Sequence, residues 1–217
     1  MWRFAPMLLV LTGAADARPR ADNMPRGWTW PPSRTMVTAA KACEARLDEL
    51  GVTWKSGKRA GHIVDAIVVS DGTIGGITYT NVYDKGPLVM DCQLVLALAQ
   101  FAPHLYELGV REVKVGSIFR WSKVRVGGHT KNLLSRHALG IAMDVVSFVD
   151  DTGREAVVAK DYKNDDDRLL GVARALADSG SFRLVLTPKN DPISHKDHFH
   201  VEANPDYSDP PTEKPAS

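Results

Sequence analysis

The apolar positions of the chain repeat with a helical period in three segments. Apolar residues lie three or four positions apart over residues 37–50, before Gly51, and again over residues 91–108 and 166–178. The segment at 91–108 is apolar on almost every side, so we expect it to be the central buried helix. Because proline lacks a backbone N–H, we expect this helix to bend or break at Pro103.

Short runs rich in β-branched residues, bounded by Gly, Asp or Pro, predict six strands. These runs cover residues 66–70, 75–80, 112–119, 140–148, 182–187 and 198–203. Regular crossover helices do not separate them, which argues against a doubly wound parallel sheet. The pattern favours a single α+β domain in which helices flank a central, largely antiparallel sheet.

The two ends of the chain lack this periodicity. Residues 1–17 combine a basic residue, an apolar run of about a dozen residues and an A-x-A sequence, which is the order of a cleaved signal peptide. An uncleaved anchor is the alternative, although the run is shorter than the roughly 20 residues that a spanning helix needs. Proline-rich residues 18–35 and 204–217 predict a flexible linker and a disordered tail. The folded domain is therefore expected at residues 36–203.

Composition limits the choice of partners and bears on the cysteines. The chain of 217 residues can bury one sizeable core, and 27 basic against 26 acidic residues give a net charge of +1, which does not indicate nucleic-acid binding. Export would place Cys43 and Cys92 in an oxidising compartment, where the only two thiols tend to pair. The alternative is that each cysteine is a small buried apolar residue.

Three of the seven histidines fall within the sequence HKDHFH at residues 195–200. In an extended strand, side chains alternate, so His198, His200 and Glu202 would point to one face. Two imidazoles on one strand face can serve one site, where one binds a metal ion and the other faces the water bound to it.

A second motif, SRHALGIAMD, places His137 seven residues before Asp144. Gly140 lies between them and lets the backbone turn into a strand. Nitrogen atoms from His137 and His200, with an oxygen atom from Asp144, would make a three-ligand site with an open fourth position. That arrangement is typical of catalytic rather than structural zinc.

With both motifs identified, the sequence from Ala40 to Glu202 resembles the extensin-like C-terminal family. Its motifs are similar to those of zinc D-alanyl-D-alanine peptidases, peptidoglycan endopeptidases and hedgehog N-terminal domains. The resemblance implies a domain of that fold with one Zn²⁺ held by His137, Asp144 and His200.

The resemblance also implies roles for three further residues. His198 takes the place where many relatives carry a glutamate general base, and His195 could orient water or the tetrahedral centre. Arg120 could stabilise an oxyanion or hold a substrate carboxylate, or be a solvated arginine at a strand end. The following loop carries three more residues that we expect at the rim, mainly solvated: Arg125, His129 and Arg136.

The function implied by the resemblance is zinc-dependent hydrolysis of amide bonds in peptidoglycan peptides by a metal-activated water, as an endopeptidase or a D,D-carboxypeptidase. One alternative is a non-enzymatic, zinc-containing domain that binds the cell wall or a protein partner. Another is a zinc hydrolase acting on a different amide or ester. We expect a periplasmic or secreted protein, with no nucleic-acid partner and no membrane span after signal cleavage. The sequence identifies no protein partner.

Overall fold

The computed structural model describes residues 23–83 and 86–208, and it has the expected α+β architecture. The α-helices among these residues are α1 Arg34–Glu49, α2 Cys92–Glu107, α3 Val158–Asp161 and α4 Asp167–Asp178. The strands are β1 Trp54–Ser56, β2 Ala66–Val69, β3 Thr73–Ile74, β4 Ile77–Asn81, β5 Val89–Asp91, β6 Val110–Ser117, β7 Lys123–Val126, β8 His129–Leu134, β9 Ala142–Asp150, β10 Glu155–Val157, β11 Leu184–Leu186 and β12 Phe199–Glu202. None of the described helices has the length and apolar character needed to cross a membrane.

The strands form one main sheet and two smaller ones. The main sheet has the order β11-β12-β9-β6-β4-β3, and β10 pairs with β9. Within the described residues, β4 and β6 are parallel, and the other pairs of this sheet are antiparallel. Strands β1, β2 and β5 make a three-stranded sheet, and β7 and β8 make a separate hairpin. The prediction of a largely antiparallel sheet is confirmed.

The three predicted helices are present as α1, α2 and α4. Helix α2 is the central one, because its buried residues join those of β6 and β9 in one apolar cluster. It continues through Pro103 to Glu107, so of the two expected outcomes, a bend or a break, the break does not occur. Close packing around the buried face of α2 offsets the hydrogen bond that proline cannot donate.

A disulfide bond joins Cys43 in α1 to Cys92 at the start of α2. The predicted pairing is confirmed, and the alternative of two unpaired buried cysteines is excluded. The bond links residues 49 positions apart in sequence, so its contribution to stability in the chain-entropy model is roughly 4 kcal/mol. It is also compatible with an exported protein.

All six predicted strands are present, with ends shifted by a few residues, but six further strands were not anticipated. These are β1, β3, β5, β7, β8 and β10, which have between two and six residues. Most positions of the hairpin β7–β8 are exposed, so its sequence shows no alternation of buried and exposed residues. Without a buried face, a strand leaves little hydrophobic pattern to detect.

The expectation of a flexible linker at 18–35 and a disordered tail at 204–217 needs correction for the described residues. The segments 23–33 and 204–208 contact the domain, and α1 begins at Arg34. These ends carry no periodic pattern because individual side chains, rather than a regular face, hold them in place. The predicted signal peptide, residues 1–17, lies outside the described residues.

Single buried groups anchor both ends. Asn23 is buried; its Nδ2 donates to the carbonyl of Leu134 at 2.6 Å, and its own carbonyl accepts from Arg136 Nε at 2.9 Å. Tyr207 is also buried, and its amide donates to the carbonyl of Arg26 at 2.9 Å. The described parts of both ends therefore belong to the folded domain.

Candidate metal centre

His137 lies in a short 3-10 turn, Arg136–Leu139, directly before β9. The hydroxyl of Ser135 accepts a hydrogen bond from the His137 amide at 3.3 Å, which caps the turn. Gly140 ends the turn with φ +68°, and a Cβ atom at this position would lie 3.0 Å from the amide nitrogen of Asp91. A glycine is therefore needed for the sharp entry into β9 that the sequence predicted.

Asp144 and His200 face each other across the antiparallel pair β9–β12. Glu202 lies on the same face of β12, because its Oε1 is 3.1 Å from His200 Nε2. This agrees with the predicted alternation. The predicted strand began one residue too early, since β12 starts at Phe199 and His198 precedes it.

The structure brings the side chains of His137, Asp144 and His200 together as one buried group that could hold a metal ion. His200 Nδ1 lies 2.9 Å from Asp144 Oδ1 and 3.2 Å from His137 Nε2. His137 Nε2 is 3.2 Å from the same carboxylate oxygen. Three potential ligand atoms therefore meet within hydrogen-bonding distance of one another.

Neighbouring groups fix which ring nitrogens face this point. The carbonyl oxygen of Ile118 lies 2.7 Å from His137 Nδ1 and can only accept, so Nδ1 carries the proton and Nε2 keeps its lone pair. The carboxylate of Glu202 likewise accepts from His200 Nε2, which leaves Nδ1 to face His137 and Asp144. A hydrogen bond from the ring nitrogen that faces away from the metal is typical of metal-binding histidines.

The geometry fits zinc. A tetrahedral ion with bonds of about 2.0–2.1 Å separates neighbouring ligand atoms by roughly 3.3 Å, close to the three distances of this group. A single proton could bridge only two of the three atoms, whereas a metal ion would bind all of them. Two imidazole nitrogens and one carboxylate oxygen are also a common ligand set for zinc.

Ionisation within the group follows from burial and neighbouring charge. Burial disfavours the charged form of His200, but hydrogen bonds and charge from Asp144 and Glu202 outweigh it and raise its pKa to about 9. Burial lowers the pKa of His137. Burial also opposes ionisation of Asp144, yet the neighbouring imidazoles of His137 and His200 hold its pKa well below the usual range.

Arg120 contacts the second oxygen of the same carboxylate. Its Nη1 donates to Asp144 Oδ2 at 2.8 Å, while Oδ1 of Asp144 faces the two histidines. About half of the Arg120 side chain remains exposed. Arg120 therefore orients a candidate ligand instead of being a purely solvated arginine at a strand end, and its expected contact with substrate stays a prediction.

His198 lies beside the group without belonging to it. Its Nε2 is 3.5 Å from Asp144 Oδ1, and its Nδ1 donates to Asp197 Oδ1 at 2.8 Å. Asp197 thus holds the proton on Nδ1, so that Nε2 faces the candidate metal site. His198 is thus adjacent to the three residues that could hold a metal ion, and its role as general base stays a prediction.

His195 completes a cluster of four imidazoles. Its Nδ1 donates to Asp191 Oδ2 at 3.0 Å, and its ring centroid lies 5.0 Å from those of His198 and His200. Burial and the neighbouring charge of His200 lower the pKa of His195 to about 4. His195 is therefore neutral at pH 7 and can both donate and accept a hydrogen bond.

A cleft of about 650 Å³ opens above these residues. His137, His200 and Glu202 line it, together with residues of β7, of the turn that follows it and of the loop 191–198. Two of the three candidate ligands, His137 and His200, are therefore reachable from a cavity large enough for a peptide segment.

Comparison with known families agrees with the motifs. The family model of the extensin-like protein C-terminus matches residues 41–208. The chain belongs to this family. The match covers both cysteines and all of the candidate site residues, and it extends past Glu202, where the sequence resemblance ended. No curated protein and no solved structure gives a match.

The expected position of Arg136 in the extensin-like domain is wrong. Arg136 is not at the rim, because it is 2% exposed and donates to the carbonyls of Asn23 and Ala203 at 2.9 and 2.8 Å. Its Nε also lies 3.6 Å from the carboxylate of Glu202, which accepts from Arg183 Nη2 at 2.8 Å. Although burial opposes ionisation, His200 and these arginines lower the pKa of Glu202 to about 2.

Two further residues were expected at the rim of the site. Arg125 lines the cleft, and His129 is exposed.

The sequence analysis missed four groups that position histidines in the extensin-like domain. Asp191 precedes His195 by four residues and Asp197 precedes His198 by one, so acidic residues close to the histidines were a usable signal. Glu202 was placed on the correct strand face but given no role. The carbonyl of Ile118 left no signal, because any residue type supplies the same backbone oxygen.

Proposed function

We propose that this extensin-like domain is a zinc-dependent hydrolase that cleaves amide bonds in peptidoglycan peptides. The observation that carries the proposal is the convergence of His137, Asp144 and His200 at a cleft, with His198 Nε2 only 3.5 Å from Asp144 Oδ1. The choice of substrate comes from the resemblance of the two histidine motifs to zinc D-alanyl-D-alanine peptidases and peptidoglycan endopeptidases.

The ligand set supports a catalytic rather than a structural metal. Structural zinc sites are closed by four protein ligands, whereas this group supplies three and adjoins a cleft. Zinc bound there would supply a Lewis acid for the amide carbonyl and would lower the pKa of a water molecule towards about 7.

The surrounding side chains supply proton transfer. His198 Nε2 accepts a proton from the attacking water, while Asp197 holds the Nδ1–H and stabilises the imidazolium that forms. The same nitrogen then donates this proton to the leaving amine. His195, neutral and fixed by Asp191, is placed to orient the water or the tetrahedral centre.

Arg120 and the setting of the protein complete the proposal. The guanidinium of Arg120 fixes the orientation of Asp144, and its exposed part is available to an oxyanion or a substrate carboxylate. The proposed location is the periplasm or the exterior, where peptidoglycan lies. The disulfide bond and the signal-peptide pattern support it.

The test is incubation of the zinc-loaded mature protein with purified peptidoglycan, followed by mass analysis of released fragments. We expect fragments with new amine and carboxyl ends, and a large reduction with His198→Ala. The masses also identify the bond and separate endopeptidase from carboxypeptidase cleavage. Binding to peptidoglycan without any release would overturn the enzyme proposal and favour a non-enzymatic wall-binding domain.

A further inference from the structure

We propose that Trp121, supported by three further aromatic rings, forms a subsite that binds a sugar ring beside the candidate metal centre. The inference rests on the proposed function and deepens it, because peptidoglycan peptides are attached to glycan strands. It assigns a binding surface to the glycan that carries the peptide, in addition to the cleft proposed for the peptide itself.

Four aromatic rings from three separate parts of the chain contact one another. The Trp30 ring is stacked on the imidazole of His62, with ring centroids 4.2 Å apart, and Trp28 is stacked on Trp30 at 6.5 Å. Trp121 contacts the same imidazole edge to face, with centroids 4.7 Å apart. We call these four residues the aromatic stack. Stacked and edge-to-face contacts favour one fixed arrangement of the rings before any ligand binds.

The rings of the aromatic stack differ in exposure. Trp121 is 59% exposed, whereas Trp28, Trp30 and His62 are partly buried. The most exposed ring therefore rests on rings that the fold already holds in place. A contiguous aromatic patch at the surface of a soluble domain is typical of a binding site, since its apolar area gains free energy only when a ligand covers it.

Two contacts fasten the aromatic stack to the turn that carries His137. The His62 amide donates to the carbonyl of Ala138 at 3.2 Å, within that turn. A Cβ atom on Gly61 would lie 2.6 Å from Phe119 Cε2, so the loop before His62 packs directly against the segment that leads to the exposed tryptophan. The aromatic stack and a candidate metal ligand are therefore held by one local framework.

Trp121 also lies at the edge of the cleft. Its neighbours in sequence, Arg120 and Ser122, both line the cleft. Arg120 in turn donates to the candidate ligand Asp144 at 2.8 Å. One substrate molecule can therefore place its peptide in the cleft while a sugar ring of the attached glycan covers Trp121.

The chemistry of the aromatic stack suits the face of a pyranose ring. Such a face is flat and presents C–H groups with a small positive charge, which the negative π face of an indole attracts. The hydroxyl and acetamide groups lie around the rim of the sugar, where they keep their hydrogen bonds. Arg59 is exposed, and its Cζ lies 5.1 Å from the Trp30 centroid, so it supplies hydrogen-bond donors beside the stack. A ligand that is apolar on its face and polar at its rim matches this surface.

Other classes of ligand fit the aromatic stack less well. The rings contact one another instead of enclosing a space, so they do not form the aromatic cage that binds a quaternary ammonium group. Burial lowers the pKa of His62, so its ring is neutral at pH 7 and attracts no anion. A nucleobase also stacks on indole, but single-strand binding relies on a basic groove, and the net charge of the chain is only +1.

The test measures binding of sugar without any peptide. The mature, zinc-loaded protein is titrated with a soluble tetramer of N-acetylglucosamine, with peptide-free glycan strands and with a short oligothymidylate, while NMR follows the indole N–H signals. The variants are Trp121→Ala, Trp121→Leu and Trp121→Phe, of which the last identifies the Trp121 signal by its absence. Tyr106→Ala is the matched control, because it removes a ring that is 53% exposed and lies outside the aromatic stack and the cleft.

We expect the parent to bind both sugar ligands, with a shift of the Trp121 indole signal. Trp121→Ala and Trp121→Leu should bind them roughly tenfold more weakly, because leucine keeps apolar area but has no π face. Trp121→Phe should keep most of the affinity, and Tyr106→Ala should keep all of it. Circular dichroism should be the same for all proteins.

Five results would each overturn the subsite. The first three are no binding of either sugar ligand by the parent, unchanged binding by Trp121→Ala, and an equal loss in Tyr106→Ala. The fourth is full affinity in Trp121→Leu, which would indicate an apolar partner in place of a sugar. The fifth is oligothymidylate bound more tightly than the sugars and lost in Trp121→Ala, which would indicate a nucleic acid.

Hydrolysis of peptidoglycan is scored separately, with His198→Ala as its negative control. Sugar binding that depends on Trp121, without any hydrolysis, would overturn the enzyme proposal while the subsite stands. Hydrolysis without such sugar binding would do the reverse.

Discussion

The histidines at the cleft fall into two groups that are held in different ways. His137 and His200 are buried, at 0% and 6% exposure, and lie at the main sheet, where a backbone carbonyl and Glu202 fix their rings. His195 and His198 lie in the loop before β12, are partly exposed and are held by aspartate side chains. Both groups lie within one cluster of rings.

This difference separates two tasks. Metal ligands need fixed distances, and a sheet with buried outer hydrogen bonds provides them. A proton acceptor has to approach water, then substrate, then the leaving amine, which a loop allows more readily than a strand. The comparison therefore predicts that substitutions in the first group affect metal binding and that substitutions in the second affect turnover.

The largest expected effect is loss of the metal from the first group. His137→Ala or Asp144→Ala should each reduce zinc from about one ion per chain to near zero, because two remaining ligands hold the ion poorly. Hydrolysis should disappear with it. The measurement is metal content of the folded protein by mass spectrometry.

Exposed residues of the same types provide the controls. His129→Ala and Asp178→Ala lie outside the candidate site and should retain a full zinc complement. Full zinc occupancy in both His137→Ala and Asp144→Ala would show that this group is not the metal site.

The next effect concerns the second group. His198→Ala should keep the zinc but reduce the hydrolysis rate about a hundredfold to ten-thousandfold, the usual effect of removing a general base. His200→Ala should lose both metal and activity. Zinc content and hydrolysis rate are measured for both variants. If His198→Ala released the metal and His200→Ala retained it, the roles of ligand and general base would have to be exchanged. If both variants kept zinc and full activity, the catalytic role of the cluster would be refuted.

The same comparison explains what the sequence could reveal about the site. His137, Asp144 and His200 were predictable because their side chains form two compact motifs, and strand alternation indicates which of them share a face. The groups that orient them were harder to predict. The carbonyl of Ile118 has no side-chain signature, and Arg136 resembles any polar loop residue until the chain ends pack around it.

The fold shows a similar division. Long periodic segments such as α2 and β9 were predictable, since burial imposes a regular pattern on them. The exposed hairpin β7–β8 and the short strands of the small sheet were not, because pairing of their backbones requires no particular side chains. The disulfide bond was predictable because the sequence offered one pairing.

A smaller effect is expected where the outer hydrogen bond of a ligand is weakened. Glu202→Gln removes the charge that holds the Nε2–H of His200 and leaves Arg136 and Arg183 without their carboxylate. Changes of this kind typically cost about 10- to 100-fold in metal affinity. Competition with a chelator of known affinity measures the change.

Glu155→Gln is the matched control, because it removes the same charge from β10. Glu155 is bonded to Ser147 and Lys114 and does not line the cleft. The zinc affinity of the Glu155→Gln variant should equal that of the parent protein. An unchanged affinity in Glu202→Gln would mean that packing alone holds His200 in place.

The smallest effect is a proton exchanged when the metal binds. Without metal, the pKa of His200 is raised to about 9, so Nδ1 is protonated at pH 7 and has to lose its proton to bind zinc. The pKa values of His137 and Asp144 are lowered, so neither contributes a proton at this pH. At pH 6, where a zinc-bound water with a pKa of about 7 keeps its protons, binding should release about one proton, and the apparent affinity should rise about tenfold per pH unit. Calorimetric titrations in buffers with different ionisation enthalpies count the proton directly.

Glu202→Gln should release less than one proton, because it removes one of the two carboxylates that raise the pKa of His200. Equal release by the variant and the parent would show that Asp144 alone sets the protonation of His200.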